Sequence, residues 1–189
     1  MQNQPHLIRK KFFDFPAIET FGDFSFEKLG RINFQQLYLM FKADDSPFTD
    51  PRFKTYAGAE EYAGYLEDHG AYLPKHGSQD WLFLWKKNYA GILHLYDRSL
   101  ETFAQNNQRC WIGFATNPRF RNIGLTKEVL HYFIQYIFNH YSVINYIHAM
   151  TMPENLPSQK LLAAVGFKQD FTERVSKEHK FYLIERTGE

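Results

Sequence analysis

The sequence predicts a mixed α/β domain, of the α+β mixed-sheet type, in which helices cover a single sheet. Two short apolar runs separated by a polar turn indicate a β-hairpin, and a strand–helix–strand–helix–strand series follows it. The composition, 44% hydrophobic with 19 Phe and 12 Tyr, supplies enough apolar surface for a core. A chain of 189 residues has the size of one ordinary domain, so we expect residues 1–189 to form a single domain.

Two helices are predicted before the hairpin. Asn33 is a favourable N-cap, and Gln36 stands where the partner in a capping box belongs. An apolar face follows at Phe34, Leu37, Tyr38 and Phe41, and the helix should end near Asp44, Asp45 and Pro47. Residues 57–67 predict a second helix, which should end near Gly70.

The hairpin is predicted over residues 81–85 and 91–96, with Lys86, Lys87 and Asn88 in its turn. Residues 109–116 predict a third strand, followed by a helix over 124–141 and a strand over 144–151. A short helix over 158–165, ended by Gly166 as its C-terminal cap, and a strand over 181–185 complete the series.

The charge balance argues against some classes of partner. The formal net charge is +1, so the surface as a whole offers no attraction for nucleic acid or an anionic membrane. No apolar run approaches the ~20 residues that span a bilayer. A single cysteine and a polar start to the chain favour a cytoplasmic protein. The aromatic residues near the N-terminus are interpreted as core, not as stacking platforms for bases: Phe12, Phe13, Phe15, Phe24 and Phe26.

The segment 110–126 is the most informative part of the sequence. A strand leads through a polar turn into a long helix, whose first-turn amides lack backbone acceptors and lie at the positive end of the helix dipole. Such a helix start attracts phosphate. Gly124 allows a ligand to approach closely, while Arg121, Asn122 and Thr126 add donors. The spacing is that of neither a P-loop nor a dinucleotide-binding turn, and an ordinary capped helix explains the same residues.

Three motifs, in order along the chain, resemble the GNAT superfamily of N-acetyltransferases. Trp111-Ile112-Gly113-Phe114 resembles the I-G-Y/F strand of the branch that acetylates ribosomal-protein N-termini. Arg121-x-x-Gly124-x-Thr126 resembles the pyrophosphate loop Q/R-x-x-G-x-G/A, with Thr126 in place of Gly or Ala and Asn122 where many members carry a second Gly. Asn155-Leu156-Pro157-Ser158, followed by Gly166-Phe167, resembles the N-x-x-S…G-F segment. The resemblance covers residues 81–170, and the N-terminal third fits only in outline.

This resemblance implies a fold, a cofactor and a reaction. The fold would be a central, mostly antiparallel twisted sheet with a splayed strand pair, flanked by helices. The acetyl group would pass by direct attack in a ternary complex to a primary amine, either a protein N-terminal α-amine or a small-molecule amine. No metal is implied. The cofactor would be acetyl-CoA, held by Phe114, Ala115, Thr116, Arg121, Asn122, Ile123, Gly124, Leu125, Thr126, Asn155 and Ser158.

Ser158 is the one catalytic residue that the resemblance implies, because the family serine at this place faces the cofactor sulfur. Capping of the helix start is the structural alternative for Ser158, and for Asn155 beside it. Leu162 stands where many members carry a Tyr that acts as general acid, so this route is closed here. Cys110 is interpreted as a small buried residue and not as a nucleophile.

No general base is evident from the sequence. His94, Tyr96 and Asp97 lie on or after the hairpin, and His148 lies on a later strand. The absence of an obvious carboxylate base favours an α-amine, with a pKa of ~8, over a lysine at ~10.4, because more of the α-amine is neutral at pH 7. Residues 44–78, with the loop Pro74-Lys75-His76-Gly77, should form one wall of the acceptor site.

Two alternatives to acetyl transfer remain open. The chain could be a non-catalytic domain of the same fold that binds or senses acyl-CoA, or an enzyme that uses a longer acyl donor. As partners we expect the amine acceptor and no nucleic acid or membrane, with the chain as a monomer or a homodimer.

Overall fold

The structure is a computed structural model that describes residues 20–69, 78–96, 109–142, 144–171 and 178–186. The strands are β1 (Phe24–Lys28), β2 (Ser78–Trp85), β3 (Asn88–Tyr96), β4 (Arg109–Thr116), β5 (Tyr146–Thr151), β6 (Lys168–Asp170) and β7 (Lys180–Glu185). The helices within these residues are α1 (Phe34–Phe41), α2 (Tyr56–His69), α3 (Leu125–His140) and α4 (Leu156–Ala164). Short 3₁₀ turns lie at Pro51–Lys54 and Pro118–Phe120.

The strands form one seven-stranded sheet in the order β1-β2-β3-β4-β5-β7-β6. Every neighbouring pair is antiparallel except β4 and β5, which are parallel. The predicted mixed, mostly antiparallel sheet with flanking helices is therefore confirmed.

The two faces of the sheet are covered by different helices. Side chains alternate along each strand, so Leu82 and Ile92 pack with α1 and α2 on one face. Their neighbours Phe83 and Leu93 lie in the other cluster, which contains the buried face of α3. Because the two clusters lie on opposite faces of the sheet, the sheet separates any site between the strands and α2 from the core under α3.

The hairpin turns at the predicted Lys86 and Lys87, whereas Asn88 already begins β3, and the register of the hairpin includes a bulge. Lys86 and Lys87 both adopt left-handed φ values, 49° and 65°, which match the twist of a two-residue hairpin loop. Trp85 pairs with Asn88, and the register then shifts by one between Phe83 and Leu84. Beyond the shift Asp80 pairs with His94, so these two side chains lie on the same face, toward α2.

Several local predictions need correction. The sequence did not predict β1 or β6, and both hairpin strands extend beyond their predicted bounds. Asn33 precedes α1 but does not cap it, because its side-chain oxygen accepts the Gly30 N–H while its amide donates to the Lys28 carbonyl. The capping box with Gln36 is therefore wrong.

Some predicted positions lie outside the described residues: Phe12, Phe13, Phe15, Gly70, the loop Pro74-Lys75-His76-Gly77 and Asp97. Of the aromatic residues near the N-terminus that are described, Phe24 is buried in the core and Phe26 packs against Tyr132. Among the described helices, none has the length and apolarity to cross a bilayer.

Candidate active site

The parallel strands β4 and β5 separate part-way along their length. They pair only at Arg109–Tyr146, Cys110–Ile147 and Trp111–His148. Beyond Trp111 these two strands no longer pair, while β4 continues to pair with β3 as far as Thr116. The backbone N–H and C=O groups on one side of Phe114 to Thr116 therefore have no strand to pair with. Because unpaired backbone groups cost free energy when buried, this side is suited to hydrogen-bonding a ligand.

A first cavity of about 330 Å³ lies at this opening. It is lined by Phe114, Ala115 and Thr116 of β4, by Arg121, Asn122 and residues 124–127 of the loop and helix start, and by Asn155 and Ser158 near the start of α4. Ten of the eleven predicted cofactor residues line it. Ile123 does not, and its side chain is 58% exposed. Sequence reasoning missed Ser46, Phe48 and Thr49 on the opposite wall.

The loop before α3 has an unusual backbone that leaves the helix start open. Asn122 and Gly124 adopt left-handed φ values of 63° and 87°, and no side chain caps the first turn. A Cβ built on Gly124 would meet nothing within 4 Å, so the space above this residue belongs to the cavity. Left-handed residues at such positions turn successive backbone N–H groups toward one concave site for an anion, and the helix dipole adds positive potential there.

Arg121 has a different role from the free phosphate donor that the sequence suggested. Its guanidinium forms a two-pronged ion pair with Asp44, with 2.9 Å between Nη1 and Oδ1, and its Nε donates to the Thr116 carbonyl. The Thr49 hydroxyl and the Ser46 N–H also donate to Asp44. The pair therefore fixes residues 44–49 to the loop before α3 and holds the two walls of the first cavity together.

We expect Asp44→Asn to destabilise the fold in a pH-dependent manner. Burial alone would raise the pKa of Asp44, but the hydrogen bonds from Arg121, Thr49 and Ser46 outweigh it and lower this pKa from 3.8. The stabilisation is therefore present above pH 3.8 and lost as pH falls through the lowered pKa. Urea unfolding at pH 7 should show a loss of about 2 kcal/mol, the scale of hydrogen bonds to a charged group, and this difference should shrink on acidification.

Asp45→Asn is the matched control for this variant, because it removes the same charge from an exposed neighbour. It should leave the free energy of unfolding nearly unchanged. Equal stability of the Asp44→Asn protein and wild type at pH 7 would contradict the structural role given to the ion pair.

The start of α4 separates the roles of Asn155 and Ser158. Asn155 is the N-cap, and its side-chain oxygen accepts the Ser158 N–H at 3.2 Å. The capping alternative is thus satisfied by Asn155 and the Ser158 backbone, without the serine hydroxyl. That hydroxyl is half-buried and has no hydrogen-bond partner in the part of the chain that the structure describes.

A second cavity of about 590 Å³ lies beside the first. Part of its wall comes from the segment before β2, with Phe48, Asp50, Arg52, Tyr62 and Tyr65, and part from the strands, with Asp80, His94 and Thr151. Several described residues of the predicted segment 44–78 thus line a cavity next to the first one. Five residues line both cavities, which therefore meet at Phe48, Phe114, Ala115, Asn155 and Ser158.

The structure also places the residues considered as bases. His94 lies in the second cavity, where its Nδ1 is 2.7 Å from Asp80 Oδ2. His148 is buried, with Nδ1 3.9 Å from Asp170 Oδ2, and does not line that cavity. Tyr96 lines it, and its ring stacks on Trp111.

Cys110 is fully buried in the core under α3, and Leu162 is buried at the second cavity.

Comparisons with known proteins agree with this geometry. The model of the acetyltransferase (GNAT) domain family matches residues 37–168, more than half of the chain. The chain belongs to the GNAT acetyltransferase family. It is accordingly an acyl-CoA N-acetyltransferase, and its cofactor is acetyl-CoA. No curated protein matches the sequence significantly.

Solved structures of acetyltransferases superpose on most of the chain. RimL, a ribosomal L7/L12 alpha-N-protein acetyltransferase in complex with coenzyme A, has a TM-score of 0.68 at 16% identity and covers 90% of this chain and 98% of its own. An aminoglycoside acetyltransferase in complex with coenzyme A has a TM-score of 0.68 at 13% identity, covering 86% and 95%. The Campylobacter jejuni N-acetyltransferase PseH with acetyl coenzyme A has 0.62 at 16%, covering 87% and 99%. At these identities the likeness shows the shared fold, while the family model matched over residues 37–168 confirms the predicted family.

The residues present suit this cofactor. Uncapped amides at the start of α3 suit a pyrophosphate, and the unpaired side of β4 suits the amides of a pantetheine arm. Within the described residues, no group of three His, Cys, Asp or Glu is arranged to hold a metal ion.

Proposed function

We propose that this GNAT acetyltransferase transfers the acetyl group directly to a primary amine where its two cavities meet. The single observation that supports this most strongly is that Ser158 and Asn155 line both cavities. A cofactor lying in the first cavity would present its thioester at this junction, and an amine entering the second cavity would approach it from the other side. Two substrates held together in this way react with a large advantage in effective concentration.

Each residue of the junction has a role in this proposal. The backbone of Phe114 to Thr116 pairs with the pantetheine arm, and the amides from Asn122 to Thr126 bind the pyrophosphate. The free Ser158 hydroxyl donates to the sulfur as negative charge develops there, aided by the positive end of α4. Asn155 uses its oxygen as the cap and retains its amide hydrogens for the cofactor.

The acceptor is proposed as a primary amine, either a protein N-terminal α-amine or a small molecule. RimL supports the first class and the aminoglycoside enzyme the second, since both share this fold. Two exposed aromatic residues line the second cavity, Phe48 and Tyr65. They suit an acceptor with an apolar portion beside its amine.

A free-thiol assay tests this function against a domain that only binds acyl-CoA. The protein is mixed with acetyl-CoA and, in turn, a peptide with a free N-terminus, spermidine and an aminoglycoside. If the protein transfers the acetyl group, at least one of these amines should release free CoA thiol well above the amount formed by hydrolysis without an amine. Saturable acetyl-CoA binding with no thiol release from any of them would favour the sensing alternative.

Direct attack also predicts that Cys110→Ala retains normal turnover. Cys110 is completely buried in the core, away from both cavities, so it has no route to the thioester. Mass spectrometry of the protein incubated with acetyl-CoA should therefore detect no acetyl-enzyme. A stable acetyl group on Cys110 would instead require transfer in two steps through the enzyme.

We further propose that the whole chain is one domain that acts in the cytoplasm. One sheet joins β1 near the N-terminus to β7 near the C-terminus, which supports a single unit. A lone, buried cysteine suits a reducing compartment.

A further inference from the structure

A cluster of polar side chains lies in the second cavity, apart from the residues that the family resemblance supplied. Asp80 of β2, His94 of β3 and Tyr62 of α2 are its members. The register places Asp80, His94 and Gly113 opposite one another across β2, β3 and β4, on the face toward α2. Gly113, the β4 member of this set of paired residues, is next to Phe114, where the two cavities meet.

The hydrogen bonds of this cluster orient the His94 ring. The Tyr62 hydroxyl donates to Asp80 Oδ2 at 2.6 Å, and His94 Nδ1 is 2.7 Å from the same oxygen. Asp80 is 1% exposed, and its other oxygen has no donor within the described residues. A buried carboxylate accepts the hydrogen of Nδ1, which leaves the lone pair of the imidazole on Nε2.

The surroundings keep this arrangement fixed. Burial, and then the nearby Asp80 carboxylate, raise the pKa of Tyr62 well above 10, so its hydroxyl remains a donor. The His94 ring stacks on Phe53 and lies over Gly113, where an added Cβ would come within 3.2 Å of His94 Cδ2. The side chain is 18% exposed, and Nε2 has no partner among the described residues.

We propose that His94 is the general base of the transfer, with Asp80 and Tyr62 as the residues that position it. This inference rests on the proposed function. His94 Nε2 takes one proton from the acceptor ammonium, and the freed lone pair forms the new N–C bond as the C–S bond of the thioester breaks. The second nitrogen proton goes to the departing thiolate, and His94 returns its own proton to water, so one proton is released for each amide formed.

Other charged and titratable groups face the same cavity. Arg52 lies over the Tyr62 ring and is paired with Asp50, so the two charges offset each other near His94. Burial alone would raise the pKa of Asp50, but its bonds to Arg52 lower it. Among the described residues, the remaining titratable groups that line this cavity are Tyr65 of α2, Tyr96 of β3 and His179 before β7.

The test measures rates against pH for His94→Gln in the full chain, with acetyl-CoA and the best amine of the panel. We expect kcat/KM for the amine to fall about 100-fold or more at pH 7, while acetyl-CoA affinity stays unchanged. The deficit should shrink as pH rises, because free amine then forms without a base. Imidazole added to His94→Ala should restore part of the rate.

His148→Gln is the matched control, since it alters another strand histidine beside a carboxylate, one that is buried outside the cavity. It should retain the wild-type pH profile. If the His94 variants do not fold, Asp80→Asn replaces them, with an expected loss of at least tenfold and a changed profile. A wild-type rate and pH profile in a folded His94→Gln or Asp80→Asn protein would overturn the proposal, whereas failure of the wild-type chain to acetylate any amine would overturn the proposed function instead.

Discussion

Ser158→Ala should lower kcat roughly ten- to a thousandfold, the scale for the loss of one donor at a reacting atom. The Ser158 hydroxyl lies at the junction of the two cavities and has no partner among the described residues. Its interaction with the sulfur strengthens only as charge develops in the transition state, so the loss should appear in kcat and hardly in acetyl-CoA affinity. Steady-state rates and calorimetric binding on the same protein measure both quantities.

The alternative role for Ser158, capping of α4, predicts a different result. The helix cap is the bond from the Ser158 N–H to Asn155, which alanine keeps, so the melting temperature should change little. Gln159→Ala is the matched control, because its side chain bonds the Met152 and Pro153 carbonyls in the same turn and lines neither cavity. That variant should lower the melting temperature and keep kcat. A normal kcat in Ser158→Ala would leave the donor to the thiolate unidentified.

Gly124→Val should weaken CoA binding at least tenfold, or about 1.4 kcal/mol. Its side chain would enter the space above the uncapped start of α3, where the pyrophosphate is proposed to lie. Valine would also be strained at a φ of 87°, and this strain must be separated from the loss of binding.

Gly22→Val provides that separation. Gly22 also has a left-handed φ, 54°, and open space where a Cβ would be, but it lines neither cavity. Both variants should lose stability in thermal unfolding, and only Gly124→Val should lose CoA affinity in calorimetry. Unchanged CoA binding in a folded Gly124→Val protein would mean that the phosphate site lies elsewhere.

The sequence predicted the lining of the first cavity better than that of the second. The loop before α3 and the Asn155 segment are local features, in which residue types and spacing determine the backbone. The partner of Arg121 could not be predicted, because Asp44 lies far away in sequence and only the tertiary fold brings it to the loop. The outer strand β6 was missed because three residues give no periodic pattern.

The His94 cluster shows most clearly why sequence was insufficient. Without a bulge, the two-residue loop at Lys86 and Lys87 would set a regular register in which Asp80 pairs with Leu93. The bulge between Phe83 and Leu84 shifts this by one residue and brings Asp80 opposite His94 instead. One extra residue thus moves the carboxylate beside the imidazole, and the composition of the strands does not reveal it.

A crystal structure of the protein with CoA tests the central claim most directly, that the transfer site is the junction of the two cavities. We predict the pyrophosphate on the amides from Asn122 to Thr126 and the pantetheine arm along Phe114 to Thr116. The sulfur should lie within hydrogen-bond reach of the Ser158 hydroxyl, with the second cavity open beyond it. CoA bound away from this cleft, or a sulfur remote from Ser158, would contradict the account.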